Sequence, residues 1–113
     1  MAKFIVSTTG QFKKDLKRAK KRGLHLQDLL HVVELLANDQ PLPEIYRDHN
    51  LHGDYDNYRK CHISPDWLLI YQKDIEIRII TLYRTGTHSD LFDKKKKLGG
   101  FTIYRFFLRY VII

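Results

Sequence analysis

The chain has 113 residues, 43% of them apolar and 12% aromatic, which suits one domain with a core of its own and excludes a disordered polymer. A single cysteine, Cys61, excludes an internal disulfide framework and a multi-cysteine zinc site, and neither a secretory leader nor a run of about 18 apolar residues is present, so a cytoplasmic protein with no membrane span is expected. Lysine and arginine number 20 against 13 acids, a net charge of +7, which favours polyanionic partners without specifying a chemistry.

The charge is unevenly placed. Residues 1–22 hold eight basic residues and one acid, residues 23–92 six and eleven, and residues 93–113 six and one. Lys3 to Ser7 is β-branched and aromatic and predicts a first strand. Thr8 or Thr9 then caps a helix with Phe12, Leu16 and Ala19 on one face and Lys13, Lys14, Lys17, Lys20 and Lys21 on the other, and Gly23 stops it. A second helix is predicted over Leu26–Asn38, with Leu26, Leu29, Leu30, Val33, Leu36 and Ala37 as its apolar stripe. Leu42 to Asp56, with two prolines and Gly53, reads as loop.

Three strand-like runs follow, at Asn57–Ile63, Trp67–Gln72 and Glu76–Tyr83, with turns at Ser64–Asp66 and Lys73–Asp74. Thr85 to Phe92 is a polar loop leading into one helical turn. The order β-α-α-β-β-β predicts an α+β domain, a helical hairpin packed on a small, mostly antiparallel sheet, over residues 1–92. Residues 93–113 read as a basic linker and an apolar C-terminal extension, which either packs on the domain as a strand or short helix or seeks a surface.

Six histidines invite a search for a cluster. His25 and His31 lie in the helical hairpin and read as surface or packing residues. The tight hairpin brings His62 close to Asp66 and Trp67. Arg84 and His88 lie at the end of the last strand, so His49, His62, Asp66, Arg84 and His88 share one sheet edge if the His49 loop meets it. Such a set suits RNA cleavage through the 2′-hydroxyl: histidines and a carboxylate move protons, arginine meets the phosphate, and Trp67, Tyr71 and Phe92 offer stacking surfaces. No spacing among His49, His52, Cys61, His62 and His88 matches a standard metal motif, and neither a metal nor another cofactor is expected.

Three blocks then carry a resemblance: LP-x2-Y-x-DH-x-L-x-G at Leu42–Gly53, YR-x2-HI-x-PDWLLIY at Tyr58–Tyr71, and RTGTH-x2-LF at Arg84–Phe92. In this order and spacing they resemble the YafQ-type toxins of the RelE/ParE superfamily, the toxin halves of bacterial type II toxin–antitoxin pairs. The resemblance implies ribosome-dependent cleavage of mRNA that leaves cyclic-phosphate ends. It implies His49, His62, Asp66 and His88 as catalytic residues, with His88 as the leading candidate for general acid and the other three sharing base and orienting roles. It further implies that Trp67, Arg84 and Phe92 hold substrate or transition state. Lys13, Lys14, Lys17, Lys20 and Lys21 would grip ribosomal RNA phosphates, and an acidic DinJ/RelB-like antitoxin would cover that helix, with DNA met only through the antitoxin complex. The alternative within the superfamily is a ParE-like toxin that poisons a protein such as gyrase without cutting RNA. A small nucleic-acid-binding regulator is disfavoured by the lack of a helix-turn-helix pattern. Two departures stand out: His52 replaces another polar residue and stays outside the catalytic set, and the toxins usually finish near the LF block.

Overall fold

The computed structural model describes residues 3–53 and 56–92. In chain order the elements are β1 (Ile5–Thr8), α1 (Gly10–Lys21), α2 (Leu26–Ala37), a 3-10 turn (Glu44–Tyr46), β2 (His49–Asn50), β3 (Arg59–Ser64), β4 (Trp67–Asp74), β5 (Ile79–Gly86) and α3 (His88–Phe92). The strands form one sheet in the order β1-β5-β4-β3-β2, with β1 parallel to β5 and the remaining pairs antiparallel. The α+β hairpin-on-sheet architecture therefore stands.

Thr9 joins the first helix to the sheet. Its hydroxyl accepts from the Phe12 N–H at 2.9 Å and donates to the Tyr83 carbonyl at 2.8 Å, so one residue caps α1 and ties it to β5. At the other end Gly23, at φ 77°, closes the helix. The N–H groups of Gly23 and Leu24 return to Lys20 and Ala19 at 3.0 and 3.1 Å, a Schellman-type stop. The two helices cover one sheet face, burying Phe12, Leu29, Val32 and Leu36 against Cys61, Ile63, Trp67, Leu69, Tyr71, Ile80 and Leu82. On the other face Leu91 of α3 packs with Leu68 and Ile70, flanked by Leu51, Tyr58, Tyr83 and Phe92.

Several expectations are corrected. On α2, Val32 is buried and Leu30 is 51% exposed, because the face toward the sheet runs through 29, 32 and 36 and so misses position 30. The turn between the last two strands is Ile75–Arg78 rather than Lys73–Asp74. The Asp74 carboxylate accepts from the Glu76 and Ile77 N–H groups at 3.0 and 3.2 Å, and that side-chain turn delays β5 to Ile79. Within the expected loop, His49–Asn50 pairs with Lys60 and Arg59 as a two-residue edge strand. The linker and extension expected at 93–113 lie outside the described residues.

Candidate active site

The site is built at the turn end of β3 and β4, where α3 begins. Ser64–Pro65–Asp66 reverses the chain, setting His62 two residues before the end of β3 and Asp66 just before β4. The Asp66 Oδ1 accepts from the His88 backbone N–H at 3.0 Å and from the His88 Nδ1–H at 2.5 Å. One carboxylate oxygen thus fixes both the start of α3 and the orientation of its imidazole, leaving His88 Nε2 as the ring nitrogen available to a substrate. The His62 and His88 rings lie 5.7 Å apart, centroid to centroid.

The electrostatics separate these groups. The backbone N–H of His88, and then its ring, hold the Asp66 carboxyl below the usual carboxylate range. Burial, with help from the charges of Lys60, His88, Arg47 and His49, pushes the His62 imidazole below its ordinary value. A neutral His62 beside a carboxylate-paired His88 gives one ring able to accept a proton and another whose charged form has a partner.

His49 joins through register. It pairs with Lys60, two residues before His62, so the three side chains share the face that carries α3. Its Nδ1–H donates to the Arg47 carbonyl at 2.7 Å. Beneath this short strand Asp48 accepts from the Tyr71 hydroxyl at 2.6 Å and from Arg59 Nη2 at 2.8 Å, while Arg59 Nη1 donates to Asn50 at 2.5 Å. This clamp escaped the sequence reading, although Asp48 and Arg59 both lie inside the motif blocks. Lys60 was also missed: its ammonium stands 5.3 Å from the centre of the half-buried Phe92 ring, and strand alternation from His62 was the signal that pointed to it.

Trp67 and Arg84 do not present themselves to a substrate here. Trp67 is 3% exposed, and its indole N–H donates to Thr85 Oγ1 at 2.9 Å, whose hydroxyl passes on to the Leu68 carbonyl at 2.7 Å. Arg84 is buried against Asp15 of α1, donating to its carboxylate through Nε at 2.6 Å and Nη2 at 3.1 Å. The direct substrate contact expected of this pair is replaced by support from below, because the helix packs over the end of β5. An extra residue in β5, Tyr83 opposite the Ile70–Tyr71 junction, changes the strand's phase just before Arg84.

His52 is exposed, as are Lys13, Lys14, Lys17, Lys20 and Lys21 on α1. Burial pushes the Cys61 thiol far up, which suits a core residue rather than a nucleophile. Among the described residues no group of three or more His, Cys, Asp or Glu side chains is arranged to hold a metal ion, and no helix is long and apolar enough to cross a membrane. A cavity of about 620 Å³ opens between His62, Pro65, Arg47 and His31. The larger cavity, about 860 Å³, lies around Tyr71, Asp74 and Glu76; the Asp48–Arg59 clamp borders it, and none of His49, His62, Asp66 and His88 lines it.

A family model described as the YafQ bacterial toxin of type II toxin–antitoxin systems matches residues 5–93. The mRNA interferase toxin YafQ of Escherichia coli K12 is 41% identical over 88 residues, spanning 77% of this chain and 94% of that protein. Among solved structures, the toxin of the E. coli DinJ–YafQ toxin–antitoxin complex superposes with a TM-score of 0.74 at 40% identity, covering 80% of this chain and 98% of that one. A metal-bound toxin from Helicobacter pylori does so at 0.75 and 43% identity, covering 79% and 99%. The chain belongs to the YafQ family of type II toxin–antitoxin toxins.

Proposed function

We propose that this protein is an mRNA interferase, an endoribonuclease that cuts mRNA on the ribosome by 2′-hydroxyl attack and so inhibits translation. The observation that carries this reading is the double hydrogen bond from His88 to Asp66, with the His62 ring beside it. His62, neutral near pH 7, takes the proton of the 2′-hydroxyl. That oxygen attacks the adjacent phosphorus, and His88 Nε2–H protonates the departing 5′-oxygen, leaving a 2′,3′-cyclic phosphate. Asp66 holds the His88 ring in place through its Nδ1–H, and His49 shares the base and orienting work. Lys60 supplies positive charge to the phosphorane-like transition state, and Phe92 offers an aromatic face to a base. Trp67 and Arg84 keep the strand ends and turn in register beneath these groups. The chemistry needs no cofactor.

The lysine face of α1 provides sequence-blind phosphate contacts to ribosomal RNA. The same face suits an acidic segment of an antitoxin of the DinJ type, the partner of the related E. coli toxin in its solved complex. A ParE-like action on a protein target draws no support from the family model, the curated E. coli relative or the E. coli complex, each of which is of YafQ. Incubation with translating ribosomes and with naked RNA, followed by mapping of cuts, tests the reading. Cuts ending in cyclic phosphate on ribosomes alone are expected; intact RNA in both tubes would refute it.

A further inference from the structure

His88 sits on a helix of five residues, far too short to hold its shape unaided, so something else must set its place. Part of the answer is local. Thr87 and Asp90 form a reciprocal cap, the Asp90 carboxylate accepting from the Thr87 N–H at 2.9 Å and the Thr87 hydroxyl accepting from the Asp90 N–H at 3.0 Å. The rest comes from α1. Arg22, its C-cap, donates to both Asp90 oxygens, at 2.6 and 3.1 Å, and Arg18 stands 3.8 Å from the same carboxylate. Asp90 is also pressed against β5: a Cβ at Gly86 would lie 2.9 Å from its Oδ2 and 3.0 Å from its own Cβ.

We infer that the Arg22–Asp90 pair is a positioning device for His88, clamping the catalytic helix between the end of β5 and the basic helix. The inference rests on the reading of His88 as general acid. Arg22 is not among the lysines expected to grip phosphates, and its guanidinium is paired with a carboxylate. Supporting it, burial would raise the Asp90 carboxyl, yet the Arg22 hydrogen bonds, the Thr87 N–H and the charges of Arg18 and Arg22 hold it below the carboxylate range. Asp90 stays ionised, and a two-pronged arginine–carboxylate pair fixes angle as well as distance. Small displacements of an acid from its leaving group are costly in rate.

The test uses the full chain with Arg22→Ala, Arg22→Lys and Asp90→Asn. Maximal rate and KM for cleavage on programmed ribosomes are measured beside the titration of the Asp66 carboxyl by carbon NMR. Asp66 faces His88 through its backbone N–H and ring, and Asp90 at longer range; Arg22→Ala leaves all of these groups in place, and any loss of the Asp90 charge would lower Asp66, opposite to the shift expected. Arg22→Ala is expected to lower the maximal rate about ten- to a hundredfold with KM unchanged, and to let Asp66 titrate nearer its ordinary value. Arg22→Lys should recover part of the rate, and the double variant with Asp90→Asn should fall no further than either single. A raised KM at unchanged maximal rate, or an Asp66 titration that does not move, would overturn the inference and make Arg22 a phosphate contact. Should Asp90→Asn lose its fold, Arg22→Ala decides alone, since that side chain is 43% exposed. If the wild type cuts nothing on ribosomes, the functional reading fails and the Asp66 titration still decides the pair.

Discussion

Asp15–Arg84 and Asp66–His88 are each a carboxylate facing a basic side chain, yet they stand in opposite surroundings. The side chains of the first pair are 0% and 9% exposed, those of the second 65% and 50%. Buried charges have given up water and depend on one another, so that pair fixes where α1 meets β5. Exposed charges gain little stability from pairing, but an imidazole held by one nitrogen keeps the other free for a substrate. Position is stored in the buried pair, and the proton transfer proposed for His88 belongs to the open one. The Asp90–Arg22 contact lies between them and links the two.

Breaking the buried pair has the largest effect on the fold. Asp15→Ala strands the Arg84 guanidinium and removes the acceptor of the Thr85 N–H. Chemical denaturation should show a loss of about 3–5 kcal/mol; a loss near that of an exposed pair would erase the contrast. Breaking the open pair does the reverse. His88→Ala should reduce cleavage about 10²–10⁴-fold while stability stays within about 0.5 kcal/mol, measured on the same preparation. Thr85→Val, which leaves the buried Trp67 indole N–H and the Leu68 carbonyl without this hydroxyl, should cost about 1–3 kcal/mol of stability.

The smallest effects are in pH. Because His62 titrates below its ordinary 6.5, the acidic limb of the cleavage profile should fall below that value, and a limb above it would disqualify His62 as base. Asp90 in the folded chain lies below its ordinary 3.8. Its contribution to stability is therefore complete above that value and lost as pH falls beneath it, and acid unfolding of Asp90→Asn should lack that component.

Much of the fold was legible locally. Thr9 and Gly23 mark α1 by side-chain capping and by positive φ, which need no tertiary knowledge. Leu30 and Val32 were exchanged because a helix rich in leucine offers two overlapping stripes, and only the sheet chooses between them. The β4–β5 turn was misplaced because Asp74 acts through its side chain. The His62–Asp66–His88 constellation could be read from a hairpin and a strand end, both short-range geometry. His49 needed the motif, since a two-residue strand leaves no periodic trace. Asp15 was invisible for a different reason: a charged residue on a basic helix reads as surface, and its partner lies 69 residues away.

The central claim is that His88, held by Asp66, donates the proton to the 5′-oxygen. It is tested most directly with an mRNA whose cleaved linkage carries sulfur in place of that oxygen, since a thiolate leaves without being protonated. On programmed ribosomes the sulfur substrate should restore the rate of His88→Ala to near that of the wild type while leaving His62→Ala slow. If His88→Ala remains equally slow on both substrates, His88 is not the acid.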